Sequence, residues 1–235
     1  MRVSLFATCL ADRFFAEAAA DAVRLLRSLD VDVVVPPGQT CCGQPAFNTG
    51  RQDEARRIAR HIVRVFAGKD PVVMPSGSCA AMLRREYPEL LPEGRDLASR
   101  AYELAEFLVK VLGVRELGGG LRGQRLAYHP GCHALRGLGA GEEPVTLLEG
   151  AGAEVVPWDA AHECCGFGGL FSVKFPAVSV GMADRKLDAL PPVDALVSGD
   201  GGCLLHLGGR ARRLGRDLPV RHLASVLWEG RNGGS

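Results

Sequence analysis

No stretch of about 20 consecutive apolar residues occurs in this chain, so nothing in it is expected to span a bilayer. An excess of charge is missing too. Lys and Arg number 28 against 27 Asp and Glu, a net charge of +1 that removes the electrostatic case for nucleic acid or an anionic membrane surface. There is no Gly-x-x-x-x-Gly-Lys phosphate loop, and no serine-hydrolase elbow. Gly166-Phe167-Gly168-Gly169 is not a dinucleotide fingerprint, because cysteines precede it and its third glycine is absent. The chain is therefore expected to bring no flavin or nicotinamide site of its own. The apolar run within Met1–Cys9 is too short for a signal-peptide core, and Asp12 and Arg13 follow it. The expected compartment is the cytoplasm, where structural disulfides stay reduced.

Cysteine is what the chain has. Cys9, then Cys41-Cys42-Gly43, then Cys79 form one run; Cys132, then Cys164-Cys165-Gly166, then Cys203 form a second. In both, 31 residues separate the single cysteine from the pair, and 36 or 37 separate the pair from the last one. All eight cysteines are used. In a reducing compartment such a set favours metal ligation or redox chemistry over a disulfide framework. Buried small hydrophobes are the plain alternative for any one cysteine, but two matching sets argue against it.

The offset between the runs is 123 residues at the single cysteine and the pair, and 124 at the last cysteine. The chain thus reads as two copies of one unit with one residue inserted. The seam falls in Leu117–Gly123, a glycine-rich segment read as a flexible link, which divides the chain into 1–120 and 121–235. A polar tail, Arg231–Ser235, is expected to fray. Each copy alternates strand and helix. Strands are expected at Val3–Ala7, Val31–Val35 and Val72–Met74, then at Leu126–Tyr128, Ala153–Val156, Ala195–Ser198 and Val220–Leu223. Phe15, Ala19, Val23 and Leu26 mark one helix face; Ala55, Ile58, Ala59, Ile62, Val63 and Phe66 mark another. Helices are also expected near Pro144–Leu148 and over Phe175–Leu187, with Cys79 and Cys203 near helix starts. The fold class is α/β, two tandem parallel-sheet, Rossmann-like units related by a pseudo-twofold. Every cysteine follows an expected strand, so each set gathers at the carboxyl edge where open α/β sheets bind ligands.

Four thiolates complete an iron–sulfur site or a closed tetrahedral zinc site. Adjacent cysteines have Cα atoms about 3.8 Å apart and suit a multi-iron body, on which neighbouring sulfurs reach different irons. Zinc remains the alternative. Gly43 and Gly166 allow a tight turn beside either group. Backbone N–H groups of Ser76–Cys79 and Gly199–Cys203 are placed to stabilise an anionic cluster. His129, His133 and His162 are candidate hydrogen-bond donors to it. Arg136, Lys174 and Arg210 are candidate contacts for a carboxylate or an acidic partner, and Phe167 and Phe171 for a shield against water.

These motifs resemble the CCG, or cysteine-rich, domain shared by a subunit of heterodisulfide reductase and the iron–sulfur subunit of glycolate oxidase. From about residue 3 to residue 228 the chain is similar to the lactate utilization A family. The stretches that carry this are Gly38–Ala46, Pro75–Cys79, Glu163–Gly169, Phe171–Lys174 and Gly202–His206. The resemblance implies that all eight cysteines hold iron–sulfur clusters, [4Fe-4S] in type and up to one per copy. It implies electron transfer in the oxidation of L-lactate to pyruvate, as a non-flavin oxidoreductase subunit. Implied partners are a ferredoxin-type iron–sulfur protein and a third lactate-utilization protein. One departure stands out. The family's final Cys-x-x-Cys becomes Cys79-Ala80-Ala81-Met82 and Cys203-Leu204-Leu205-His206. The fifth thiolate is missing, which weakens an alternative reading as a thiol–disulfide reductase; a zinc-stapled scaffold is another. His206 shares a helix face with Cys203 and is a candidate additional ligand, while Met82 reads as packing.

Overall fold

The computed structural model describes residues 1–233. Strands β1 (Arg2–Leu5), β2 (Asp32–Val34), β3 (Val72–Met74) and β4 (Ala101–Glu103) form one parallel sheet in the order β2-β1-β3-β4. Strands β5 (Arg125–Tyr128), β6 (Glu154–Val155), β7 (Ala195–Ser198) and β8 (Val220–His222) form a second, in the order β6-β5-β7-β8. The two orders are the same, which is the expected duplication. The central strands β3 and β7 are buried at every residue and apolar but for Ser198 at the end of β7, as strands covered on both faces are. The edge strand β2 alternates exposed, buried, exposed. Helices Ala16–Arg27 and Gln52–Val65 carry the first two crossovers of the first sheet and the helical stretch 77–99 the third, while Glu143–Gly150, Pro176–Asp188 and Gly201–Arg213 carry those of the second.

The expected strands all form. The additional one is β4, whose three residues end in Glu103 and show no hydrophobic run; pairing of Val72 with Ala101 brings it onto the sheet. In helix Ala16–Arg27 the buried face is Ala18, Asp21, Ala22, Leu25 and Leu26, a shift from the expected stripe. The reason is tertiary, since that helix is pressed against Leu223–Asn232 from the other half as well as against its own sheet. In Gln52–Val65 the expected stripe holds, with Ala55, Ala59 and Ile62 buried and Ile58 and Val63 partly so.

One apolar core crosses the halves, joining Leu25 and Val73 of the first to Leu126 and Leu227 of the second. Each half also keeps its own satellite core, and Cys42 and Cys79, or Cys165 and Cys203, belong to it. The glycine-rich seam is not a flexible link. Leu117 and Leu121 are fully buried, and the N–H groups of Leu117, Gly120 and Leu121 donate to Gly150, Gly230 and Ala151 carbonyls at 3.0 Å each. Gly120 is needed for close approach, because a Cβ there would lie 2.5 Å from the Glu229 carbonyl oxygen. Gly120→Ala should therefore lower stability by about 1–3 kcal/mol, read as an earlier urea midpoint at unchanged slope. The tail differs from expectation too. Arg231 and Asn232 finish the helix Leu223–Asn232, and the Arg231 guanidinium donates to the Ser28 carbonyl at 3.2 Å. Gly234 and Ser235, the end of that tail, lie outside the described residues.

Candidate metal centres

Each cysteine sits just past the carboxyl end of a strand: Cys9 after β1, the first pair after β2, Cys79 after β3, and the same again after β5, β6 and β7. The strand order places β1 and β3 side by side, so the first and last cysteines of a set flank the switch point of the sheet. The pair turns in on Gly43 and Gly166, both at φ +88°, a left-handed conformation that L side chains rarely adopt. Burial repeats with the spacing. Cys42, Cys79, Cys165 and Cys203 are buried, while Cys9, Cys41, Cys132 and Cys164 are half-buried.

The thiols of each set touch in series. Cys41 is held well below the ordinary thiol range by the thiols of Cys42 and then Cys9 donating to it, helped by the Gly43 N–H at 3.4 Å from its sulfur. Cys164 is held well below the ordinary thiol range by Cys132 and then Cys165 donating to it, with the Gly166 N–H at 3.4 Å. The donors Cys9, Cys42, Cys132 and Cys165 are pushed up, first by those same bonds and then by burial. Cys165 and Cys203 sulfurs are 3.2 Å apart, and the Phe167 N–H points at Cys165. Thiols that favour one anionic sulfur, with backbone N–H groups aimed at it, have the donor chemistry for a metal or an iron–sulfur group. All eight cysteines line one cavity of about 520 Å³, walled elsewhere by apolar groups such as Leu10, Pro45 and Phe167.

Across this cavity the halves are pinned by matched residues. Ser76 and Asp200 occupy the N-cap positions before Cys79 and Cys203. The Ser76 hydroxyl donates to the Asp200 carboxylate at 3.2 Å, and the Ser78 N–H donates to the same oxygen at 2.9 Å. Asp200 thus caps a helix of the opposite half. A Cβ on Gly131 would lie 1.8 Å from its other oxygen, which is why glycine precedes Cys132. The corresponding Thr8, before Cys9, is buried at φ 64°, ψ 145°, a conformation that costs a non-glycine residue about 1–3 kcal/mol.

Other residues position the pairs and were not legible as such. Gln39 bridges β1, accepting from the Ala7 N–H at 2.9 Å and donating to the Leu5 carbonyl at 2.8 Å, two residues before Cys41. The Tyr87 hydroxyl donates to the Cys42 carbonyl at 2.9 Å. The Ser179 hydroxyl donates to the Gly166 carbonyl at 2.7 Å. Buried Lys186 donates to the Ala160, Ala161 and Glu163 carbonyls and lies 4.4 Å from the Trp158 ring centre. Burial lowers it to about 8, against the pull of the Cys165 and Cys203 sulfurs.

Among the histidines, the structure singles out His129. A ring nitrogen of His129 and the sulfurs of Cys165 and Cys203 lie within 4.8 Å of one another, all buried. Its Nδ1 is engaged by the Ala161 carbonyl at 3.2 Å, and its buried Nε2 has no partner among the described residues. His206 does not join this group, because its Nε2 meets the Ser179 hydroxyl at 3.1 Å. His133 is exposed with Nδ1 at 3.7 Å from Cys132, and His162 is exposed. Met82 is buried packing. Arg210 is spent on Asp184 at 2.6 and 2.8 Å, whereas Arg136 lines a groove beside Cys132, and Lys174 is exposed. Phe167 lines the cavity and covers Gly202; Phe171 stacks outside it on Phe175.

A profile of the CCG cysteine-rich domain matches residues 3–84 and, a second time, residues 126–208. The chain belongs to the CCG cysteine-rich domain family. Both copies of the CCG domain hold one four-thiol set each. Among relatives along the whole length, lactate utilization protein A of Geobacillus kaustophilus (strain HTA426) is 47% identical, over 97% of this chain and 98% of its own length. That of Shouchella clausii (strain KSM-K16) is 45% identical over 97% and 98%. Lactate utilization protein A 2 of Bacillus cereus (strain 03BB102) is 40% identical over 99% and 100%. Among the described residues of this CCG protein, no helix is long and apolar enough to cross a membrane.

Proposed function

We propose that this chain is the iron–sulfur electron-transfer component of a system that oxidises L-lactate to pyruvate. The observation that carries the reading is the convergence of two four-thiol sets on one cavity, in a chain whose relatives bear the name lactate utilization protein A. Cys9, Cys41, Cys42 and Cys79 would hold one cluster, [4Fe-4S] in type, and Cys132, Cys164, Cys165 and Cys203 another, one in each repeat (1–120 and 121–235). Each bound cluster would accept and release one electron, so the two centres would take up singly, and relay, the two electrons that oxidation of lactate to pyruvate releases. The protein's share is to hold the thiols at strand ends, to aim N–H groups at them, and to wall the cavity with apolar side chains. The remaining parts are a ferredoxin-type iron–sulfur partner and a third lactate-utilization protein, all working in the cytoplasm.

Refilled anaerobically with iron and sulfide, the chain should show broad visible charge-transfer absorption that bleaches on chemical reduction. With both partners present, L-lactate should produce the same bleaching. A colourless protein with stoichiometric zinc would reject the electron-carrier reading; a coloured protein that lactate never bleaches in the full system would reject the lactate assignment.

A further inference from the structure

The two thiol sets match in sulfur position but not in surroundings. The backbone register shows which residues correspond. Phe6 and His129 make the same strand-end hydrogen bond, from their N–H groups to the Val73 and Val197 carbonyls at 2.9 and 2.8 Å. Beside the CCG turns, a Cβ on Gly43 would meet the Ala55 carbonyl oxygen and Ile58, and one on Gly166 the Ser179 carbonyl oxygen and Met182. The helices are therefore in register at an offset of 124, which sets Ile62 against Lys186, and the offset of the last cysteines sets Met82 against His206. Phe6, Ala55, Ile62 and Met82, all buried and apolar, become His129, Ser179, Lys186 and His206.

We propose that the two sets hold centres of unequal reduction potential, the second being the higher, with His129 the residue chiefly responsible. This rests on the iron–sulfur reading above. A reduced cluster carries one more negative charge than an oxidised one, so donors and cations around it favour reduction. His129 presents a buried, unpartnered ring nitrogen to Cys165 and Cys203 and is steadied on its far side by the Ala161 carbonyl. That is the arrangement of an imidazole acting on a metal site, as hydrogen-bond donor to sulfur or as neutral ligand, and both roles raise the potential. The Lys186 ammonium adds positive charge behind the same sulfurs and fixes the loop that leads to Cys164. Around Cys42 and Cys79 the same places hold a phenyl ring and an aliphatic chain, which leave the first centre without either aid.

The test is an anaerobic potentiometric titration of the reconstituted full chain, followed by electron paramagnetic resonance, with iron content measured alongside. Two reduction steps are expected. The step at higher potential should vanish in Cys165→Ser and persist in Cys42→Ser. His129→Phe should lower the second midpoint by at least 59 mV, the one-electron equivalent of a tenfold change in the reduced-to-oxidised ratio. Phe6→His should raise the first midpoint, which keeps the inference testable if the histidine variant does not fold. A single shared midpoint, or a high-potential step that survives Cys165→Ser, would overturn the inference while leaving the iron–sulfur reading in place. A chain that takes up zinc and no iron would overturn both.

Discussion

Cys165→Ser should halve the iron bound on reconstitution and leave the signal of the first centre intact. Cys165 is buried, its sulfur is 3.2 Å from that of Cys203, and it donates to Cys164, so it links three of the four thiols in its set. Serine keeps the size of the side chain but offers a hydroxyl, a hard and weakly acidic donor, where a thiolate is required. The first set has a separate scaffold, since Cys42 and Cys79 belong to a different satellite core and the Cys42 carbonyl is held by Tyr87. With two [4Fe-4S] centres, iron should fall from about eight atoms per chain to about four. Loss of all iron in this single variant would mean that the eight sulfurs build one shared site across the cavity, and the assignment of one cluster per repeat would fail.

Glu103→Gln should change the pH dependence of stability by about 4 kcal/mol between pH 5 and pH 8. Glu103 ends β4 and caps the following helix, its carboxylate accepting from the Ala105 and Glu106 N–H groups at 2.7 and 3.1 Å. Complete burial nonetheless raises it from 4.5 to about 8, with Asp200 and Glu106 adding to the effect. In that window the folded chain keeps a proton that the unfolded chain has lost. The stabilisation tied to that proton is fully present below pH 4.5 and is lost as the pH rises through about 8. Each unit costs about 1.4 kcal/mol, and glutamine, which cannot ionise, is spared it. Urea titrations of both proteins at pH 5 and pH 8 measure the difference. Parallel pH dependences would show that the Glu103 carboxylate is solvated. The corresponding residue of the second half titrates the other way. His222 ends β8, caps Leu223–Asn232 by accepting from the Ala224 N–H, and is lowered to about 4 by burial.

Much of the fold was readable along the chain because its signals are local. Val72–Met74 and Ala195–Ser198 are short buried runs closed by Pro75 and Gly199, and both are strands with those bounds. The helix stripe through Ala55, Ala59 and Ile62 needs nothing beyond a period of 3.6 residues. β4 escaped because three residues ending in glutamate carry no such period. Leu117–Gly123 is ambiguous along the chain because glycine serves flexibility and close approach alike, and the Glu229 carbonyl decides which. At the site, His206 follows Cys203 on one helix face, yet its ring meets Ser179. Lys186 could have been noticed by laying the copies over one another, where it stands opposite Ile62.

Spacing along one chain dictates the duplication, the order of strands and helices, and the membership of each four-cysteine set, since one crossover returns the chain to the same sheet edge. It cannot dictate how two such edges face each other. That the sets open on one cavity, and that Ser76 and Asp200 bond across it, depends on contacts between residues about 124 apart. The chemical inequality of the two sets is of the same kind: single side chains such as His129 acquire meaning from the sulfurs that packing brings to them.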